Sequence, residues 1–187
     1  MRSFVLSATL LAASLAPLAV SAQQLLPAQS EIGFVSRQMG VPVSGRFKTF
    51  DAKLAFDPAK PAAANIVFSV DMGSATLGDR ETDAELPKPV WFGVALFPKA
   101  SFQSTAVKRL DATRFEVAGK LTIKGLSSDV VVPVTLAQTG AQTVATGSFP
   151  IKRLTFRIGE QEWSDTSMVA DAVQVNFRLT LTGIAKL

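Results

Sequence analysis

The chain has 187 residues and contains no cysteine, histidine or tyrosine. It therefore cannot form a disulfide, a Ser-His-Asp triad, a cysteine nucleophile or a histidine-ligated metal site. Its formal net charge of +4 comes from scattered basic residues, whereas a nucleic-acid-binding surface needs clustered ones, so we expect no nucleic-acid partner.

The N-terminus has the three regions of a secretory signal peptide. Arg2 supplies a basic start, residues 4–20 are uncharged and mostly apolar, and small residues precede a cut after Ala22. We therefore predict a signal peptide over residues 1–22 and one exported domain over residues 23–187. A retained membrane anchor is the alternative. The rest of the chain has no second long apolar run, so we expect no stable membrane span after cleavage.

Apolar and polar residues alternate along most of the remaining chain, which is the period of a strand that buries one face. Turn signals such as Asp57-Pro58 and Thr139-Gly140 separate the alternating segments. Eight or nine long strands predict an all-β fold, an antiparallel sheet closed into an eight-stranded barrel, with a sandwich as the alternative. In chain order the predicted strands span residues 30–36, 41–48, 52–57, 66–72, 100–108, 113–123, 130–136, 143–151 and 172–182.

One segment interrupts the alternation after the fourth strand. Thr76 to Asp79 has the spacing of a capping box, and Pro87 and Pro89 end the segment, so a helix of about two turns is predicted. Its carboxylates are interpreted as helix caps and solvated charges, with an acid/base pair of the glycoside hydrolase type as the alternative. No partner group or cleft supports that chemistry, so we predict no enzyme. The four carboxylates are Asp79, Glu81, Asp83 and Glu85.

The interior of an eight-stranded barrel is either filled by side chains or holds one small ligand. The predicted inward positions alternate small residues with phenylalanines, and composition alone leaves both outcomes open. An outer-membrane barrel is a further alternative, but the chain has no tyrosine and only two tryptophans for aromatic girdles. The small candidates are Gly45, Ala52, Ala106, Gly119, Ala145 and Gly147, and they alternate with phenylalanines at 47, 68, 102, 115, 149 and 177.

Several short motifs recur in a fixed order: SEIGF at residues 30–34, GRF at 45–47, FDP at 56–58 and GKLTIKG at 119–125. Together with the acidic helix and the segment around 151–163, they resemble the YceI-like, polyisoprenoid-binding proteins of the bacterial periplasm. The resemblance covers nearly all of the chain after the signal peptide. The chain departs from the family where histidines are frequent, at residues 38–40 and 83–86, and has Phe156-Arg157 in place of Phe-Gly.

The resemblance implies a lipocalin-like barrel with an isoprenoid or quinone tail in its interior, a periplasmic location and no resident cofactor. Arginines near the strand ends are candidates for a head group, because a guanidinium fork matches phosphate oxygens. These candidates are Arg37, Arg80, Arg153 and Arg157. The residues expected to line the cavity are Phe34, Phe47, Phe68, Trp91, Phe92, Phe102, Phe115, Phe149, Phe156, Trp163 and Phe177.

Trp91, Phe92 and Phe97 follow the helix and are expected to cover one end of the cavity, or else only to plug it. The function expected is periplasmic binding of an isoprenoid-type lipid. The alternative is a structural or stress-related interaction protein with a filled barrel and no ligand. We leave a homodimer open.

Overall fold

The computed structural model describes residues 22–187, so the predicted signal peptide, apart from its last residue, lies outside the described residues. The described chain is one antiparallel sheet with very little helix. Its strands are β1 Gln24–Leu25, β2 Glu31–Gln38, β3 Val41–Phe47, β4 Phe50–Ala55, β5 Asn65–Asp71, β6 Ala75–Thr76, β7 Lys99–Arg109, β8 Arg114–Ile123, β9 Leu126–Thr139, β10 Gln142–Lys152 and β11 Ala172–Thr182. One α-helix, α1, spans Arg80–Glu85, and five short 3-10 helices span Pro27–Gln29, Pro61–Ala63, Met72–Ser74, Arg153–Phe156 and Gln161–Ser164.

The sheet curls until its two ends are joined by one bent piece of chain. The strand order is β4-β5-β7-β8-β9-β10-β11-β2-β3-β6, and β3 and β4 are separated only by Lys48 and Thr49. β3 pairs with β2 and β4 pairs with β5, so residues 41–55 act as a single bent strand that belongs to both ends. When β3 and β4 are counted as this one bent strand, eight long strands surround the interior, and β1 and β6 are short additions. This confirms the predicted antiparallel barrel.

The corner between β3 and β4 is held by the segment around Met72–Ser74. Lys48 N donates to Ser74 O at 3.2 Å, Thr49 N donates to Ser74 Oγ at 3.0 Å, and Asp71 N donates to Thr49 O at 3.0 Å. The backbone N–H groups of Lys48 and Thr49, which leave the ladder at the exposed bend, are therefore paired with this neighbouring segment.

The side chain of Gln23 fixes the C-terminal end of the bent strand, just after β4. β1 pairs with β11. Gln23 precedes β1, and its side-chain amide pairs with the backbone of Phe56 as a neighbouring strand would. Gln23 Nε2 donates to Phe56 O at 2.6 Å, and Phe56 N donates to Gln23 Oε1 at 2.8 Å. The N-terminal segment thus connects β11 to the end of β4.

The clearest difference from the predicted strands is at the β8–β9 turn. The loop consists only of Lys124 and Gly125, with φ of 50° and 75°, which is the conformation of a two-residue type I′ hairpin. Residues 126–128, which fall between the predicted strands 113–123 and 130–136, therefore belong to β9. This strand is 14 residues long, twice the length of the predicted segment 130–136.

The helix begins later than predicted. Asp79 is the N-cap, and its carboxylate accepts from Thr82 N at 2.9 Å. The capping box predicted at Thr76 is wrong, because Thr76 belongs to β6 and Gly78, with φ of 87°, reverses the chain before the helix. α1 has only six residues. Within residues 22–187, none of the helices has the length and hydropathy needed to cross a membrane.

The apolar core forms two clusters along the barrel. One is centred on Phe115, Leu136 and Leu181, at the end that holds β1 and the C-terminus. The other is centred on Met72, Phe92 and Phe156 at the opposite end, beneath the loops that follow α1 and β10. The inward faces of the alternating strands thus form the core, as period-two patterning predicts.

Candidate functional site

Two cavities lie next to each other inside the barrel, one toward each apolar cluster. The inner cavity has a volume of about 180 Å³, and all the residues around it are apolar. The mouth cavity has a volume of about 360 Å³ and is lined by apolar residues with a few polar ones. The cavities share part of their walls. The shared residues are Ile32, Val70, Leu121, Phe149 and Val175.

The structure brings most of the predicted aromatic residues to these two cavities. Phe34, Phe47, Trp91, Phe92 and Trp163 line the mouth cavity. The inner cavity is lined by Phe68, Phe102, Phe115 and Phe177, and Phe149 lies on both.

Two predicted aromatic residues lie elsewhere. Phe156 is 1% exposed and packs into the cluster beneath the loops, without lining either cavity. The ring of Phe97 lies on the outside against the hairpin loop, where a Cβ on Gly125 would be 2.8 Å from Phe97 Cε1. Of the three residues expected to cover the cavity, Trp91 and Phe92 line it and Phe97 does not.

The aromatic residues are outnumbered by aliphatic ones that the site prediction omitted. The inner cavity alone is lined by Leu54, Ile66, Val107, Val117, Val132, Val134, Leu136, Leu179, Leu181 and Ile184, among others. For most of these residues the period-two alternation contains this information, since they occupy the inward positions of their strands. The exceptions are Ile184, which follows β11, and Val107, which is buried because a β-bulge between Ser104 and Ala106 shifts the alternation of β7.

Three strand glycines lie directly beneath phenylalanine rings. A Cβ on Gly45 would overlap Phe34, one on Gly119 would overlap Phe102, and one on Gly147 would overlap Phe177. Each ring therefore occupies the space of a missing side chain and lies against the barrel wall, an arrangement that shields a strand glycine. Of the small residues predicted to face inward, these three glycines thus shape the interior through the rings that cover them, and Ala145 lines the inner cavity directly. Ala106 is exposed, because the bulge in β7 turns Val107 inward instead, so that part of the prediction is wrong.

Arg153 follows β10 and is 2% exposed. Its Nε donates to Ala170 O at 3.1 Å. Nη1 donates to the carbonyls of Ile158 and Gly159, and Nη2 to those of Trp163 and Val169, at 2.6–2.8 Å. All five guanidinium N–H groups are thus used by backbone carbonyls, so Arg153 holds a loop and has no donor left for a ligand. Burial lowers the pKa of the guanidinium, and the Asp171 carboxylate opposes this effect.

The loop that Arg153 holds, residues 153–170, and the segment 86–97 form the lid over the mouth cavity. Gly159 N donates to Val90 O at 2.8 Å, and the rings of Trp91 and Trp163 lie 5.5 Å apart. Lys124 fixes the lid from the hairpin loop, since its Nζ donates to Arg157 O at 2.6 Å and lies 3.3 Å from the Glu160 carboxylate. The lid is therefore tied to the barrel by both polar and aromatic contacts.

We infer from the exposure of its lining residues that the mouth cavity opens between α1 and the β2–β3 hairpin. Thr82 and Glu85 line the cavity and are exposed to solvent, and they face a wall that includes Gln38 and Val43. Among residues 22–187, β3 pairs with β6 only at residues 46–47, and no described strand pairs with β3 residues 41–45 at this edge. The polar residues of the mouth cavity, which the prediction omitted except for Arg153, are Ser36, Gln38, Thr82, Glu85 and Arg153.

The remaining head-group candidates lie outside both cavities. Arg37 is exposed, and its Nη1 donates to Gly40 O at 3.1 Å. Arg80 is the exposed first residue of α1. Arg157 is exposed, and its Nε is 3.8 Å from the Glu160 carboxylate. The structure does not bring the four arginines together around one ligand position.

The carboxylates at the start of α1 are occupied by local hydrogen bonds. Thr82, through its backbone N–H and hydroxyl, lowers the pKa of Asp79. The hydroxyl of Thr76 and then the N–H of Leu77 lower the pKa of Asp83. Since a general acid needs a raised pKa, these groups suit capping and not the acid/base alternative. No cluster of acidic residues suited to a metal ion occurs between residues 22 and 187.

Comparison with known proteins gives consistent results. The family described as YceI-like domain matches residues 24–181. The crystal structure of BcnA from Burkholderia cenocepacia has a TM-score of 0.81 and 43% sequence identity, covering 83% of this chain and 98% of that one. A polyisoprenoid binding domain from Saccharophagus degradans, implicated in plant cell wall breakdown, has a TM-score of 0.69 at 15% identity, covering 86% and 98%. The latter similarity shows the fold alone.

Among curated relatives, a UPF0312 protein of Azotobacter vinelandii is 32% identical over 88 residues. The match covers 47% of this chain and 46% of the relative, so the chain spans about half the length of the curated relatives of this kind.

Proposed function

The chain belongs to the YceI-like domain family, and we propose that it binds an isoprenoid-type lipid with the tail in the inner cavity and the head at the mouth. The observation that carries this proposal is the pair of adjacent cavities with a common apolar wall. A long narrow tail suits two cavities in line better than a compact ligand does. The name of the Saccharophagus degradans domain points to the same ligand class.

The free energy of binding would come from removing the tail from water. Burial of each CH₂ group contributes about 0.8 kcal/mol, and small-molecule pockets commonly measure ~300–1,000 Å³. The mouth cavity alone is at the lower end of that range. A tail longer than a few isoprene units would therefore have to pass the shared wall at Phe149 and Val175 and enter the inner cavity.

The charges at the mouth favour an uncharged head group. The cation that lines the mouth cavity, Arg153, spends every N–H group on backbone carbonyls, and the anion that lines it, Glu85, is bound to Lys88 at 2.6 Å. A phosphate head group at the mouth would therefore lie near the Glu85 carboxylate, and the Arg153 guanidinium would have no N–H group left to bind it. Ser36 and Gln38 offer neutral hydrogen-bonding groups, which suit a quinone carbonyl or an alcohol.

We further propose that the protein acts in the periplasm as a binding protein and not as an enzyme. The signal-peptide pattern of residues 1–22 supports export. The engagement of Asp79 and Asp83 in helix capping and turn contacts supports the absence of catalysis at α1.

Native mass spectrometry with lipid extraction tests this function directly. The protein is produced in a bacterial periplasm, purified without detergent, and compared before and after incubation with a polyprenyl quinone or a polyprenyl phosphate. We expect a stoichiometric complex with the quinone and weaker uptake of the phosphate. An empty protein that takes up neither would favour the filled-barrel alternative, and preferential uptake of the phosphate would overturn the head-group assignment.

A further inference from the structure

Three apolar side chains project into solvent beside the mouth cavity. Met39 is 71% exposed, Val41 is 63% exposed and Met168 is 43% exposed. Met39 and Val41 lie at the tip of the β2–β3 hairpin, and Met39 N donates to Met168 O at 2.9 Å. These three residues therefore form one surface, which we call the rim patch.

The rim patch is continuous with the wall of the cavity. Gln38 and Val43 line the mouth cavity from the same hairpin, and Val169 lines it from the residue after Met168. Gln38 and Val169 also form a β-bridge, which joins the hairpin to the lid loop. Exposed apolar residues thus lie close to cavity-lining residues in both the hairpin and the lid loop.

Both the backbone conformation and the exposure of Met39 at the tip of the hairpin are unfavourable for the stability of the protein in water. Met39 and Gly40 have φ of 47° and 81°, the type I′ conformation for which asparagine or glycine is the favoured first residue. Methionine there adds left-handed backbone strain to the exposure of a large apolar side chain. A feature unfavourable in both respects, placed at the edge of a binding cavity, is typical of a functional contact.

We propose that the rim patch docks on the surface of a lipid bilayer and brings the mouth of the barrel against it. Three side chains offer far less area than the ~800 Å² per partner of a stable protein interface, whereas a few apolar side chains suffice for reversible insertion at a membrane interface. Binding of the rim patch to a bilayer does not depend on which ligand the cavities hold. Its biological role rests on the proposed function, because a lipid tail could then pass between the bilayer and the mouth cavity without crossing water.

The charges around the rim patch are few and of both signs. The Arg37 guanidinium is held at the tip by its bond to Gly40 O, where it would meet lipid phosphates. The Asp165 carboxylate lies on the lid loop and accepts from the backbone N–H and the hydroxyl of Ser167 at 2.8 and 2.7 Å. Docking therefore relies mainly on apolar insertion, and we expect only modest weakening by salt.

Vesicle flotation tests the proposal with matched variants. The exported protein, its N-terminus verified by mass so that no leader remains, is mixed with vesicles of phosphatidylethanolamine and phosphatidylglycerol. Met39→Asn should weaken binding about tenfold, as expected for loss of one inserted side chain, while leaving the fold intact because asparagine tolerates the left-handed conformation. Leu110→Ser and Val131→Thr remove exposed apolar groups elsewhere, at residues 47% and 57% exposed, and should bind like wild type.

Site-specific labelling locates the contact. The chain has no cysteine, so Met39→Cys and Val131→Cys can each carry a single environment-sensitive fluorophore. The label at position 39 should shift to the blue on adding vesicles, and the label at 131 should not. Equal shifts at both positions, equal loss of binding in the control variants, or no vesicle binding by wild type would each overturn the proposal. Ligand uptake is measured separately, so vesicle binding without uptake would reject the proposed cargo but not the docking surface.

Discussion

The ring of Phe34 lies directly over Gly45, its cross-strand partner in the β2–β3 ladder, so that a Cβ on residue 45 would overlap Cζ of the ring. The same Cβ would be 2.8 Å from Leu77 Cδ2. Both obstacles are side chains, which means that a larger residue at 45 would displace the ring and leave the backbone of the barrel in place. The volume of the mouth cavity thus depends on a glycine in its wall.

Gly45→Ala should therefore turn Phe34 into the mouth cavity and reduce ligand uptake. Overpacking of this kind costs typically about 1–3 kcal/mol of stability. The changes are measured by urea unfolding and by quenching of the Trp91 and Trp163 fluorescence with a polyprenyl quinone. Phe34→Leu in the same chain should restore both quantities in part. Gly73→Ala is the control, since its Cβ would meet nothing closer than 3.3 Å; a Gly45→Ala protein with wild-type uptake would contradict the assignment.

Val175→Phe should separate short from long ligands. Val175 lines both cavities, so a larger side chain there should close the passage to the inner cavity while the mouth cavity stays open. We expect affinity for a short-tailed quinone to change little and affinity for a long-tailed one to fall by about tenfold or more. Titration with a series of tail lengths checks this. The exposed strand residue Val131 provides the control Val131→Phe, and equal losses at all tail lengths would argue against two cavities occupied in line.

Arg153→Met should destabilise the protein strongly, because the substitution leaves five carbonyls of the lid loop without their donor. Buried polar groups left unpaired cost about 1–3 kcal/mol each, partly offset by water, so a loss of at least about 3 kcal/mol is expected. Arg153→Lys should rescue little, since an ammonium lacks the planar fork. Urea unfolding and amide hydrogen exchange over residues 158–169 measure the effect.

Arg157 serves as the matched control for Arg153. It lies in the same loop but is exposed, so Arg157→Lys should change stability by less than about 0.5 kcal/mol. Full stability in Arg153→Lys, or faster exchange only outside the loop, would show that the guanidinium does not hold the lid.

Low pH should destabilise the fold, because a few carboxylates have a lowered pKa in the folded state. The backbone N–H of Thr113 and then the Arg114 side chain lower the pKa of Asp111 from 3.8 to about 2, and local hydrogen bonds also lower the pKa of Asp79 and Asp83. A carboxylate whose folded pKa is depressed stabilises the fold above its unfolded pKa and loses that contribution as pH falls through the folded value.

The urea midpoint should therefore fall between about pH 4 and pH 2 and stay flat from pH 5 to 8, where a chain without histidine has no side chain of ordinary pKa to titrate. Asp111→Asn should lower the midpoint at neutral pH and flatten the acid decline. A midpoint that is independent of pH in the acid range, or a variant that declines as steeply as wild type, would show that Asp111 does not contribute in this way.

Alternation of apolar and polar residues predicts the long strands, the antiparallel barrel and the inward position of six phenylalanines, whereas the cavity itself and its tryptophans are expected only from the family resemblance. It could not reveal what depends on contacts between distant segments. Arg153 has the sequence features of a head-group ligand, but only the fold brings five carbonyls around it. The pairing of Gly45 with Phe34 depends on strand register, and the polar groups at the mouth depend on where α1 lies. The helix start was misplaced because Gly78 separates Thr76 from the helix.

The hydrogen bond from Thr180 N to Ser30 Oγ joins residues 150 positions apart, and β2 has β11 as one of its two neighbours. At ~5–20 residues per second of synthesis, the first long strand waits roughly seven to thirty seconds for its partner. A ribosome-bound chain of this kind cannot close its barrel before nearly the whole polypeptide has been made. Its folding is therefore a late event that needs nearly the full length of the chain, and a chain that stays unfolded until then is compatible with the export proposed above.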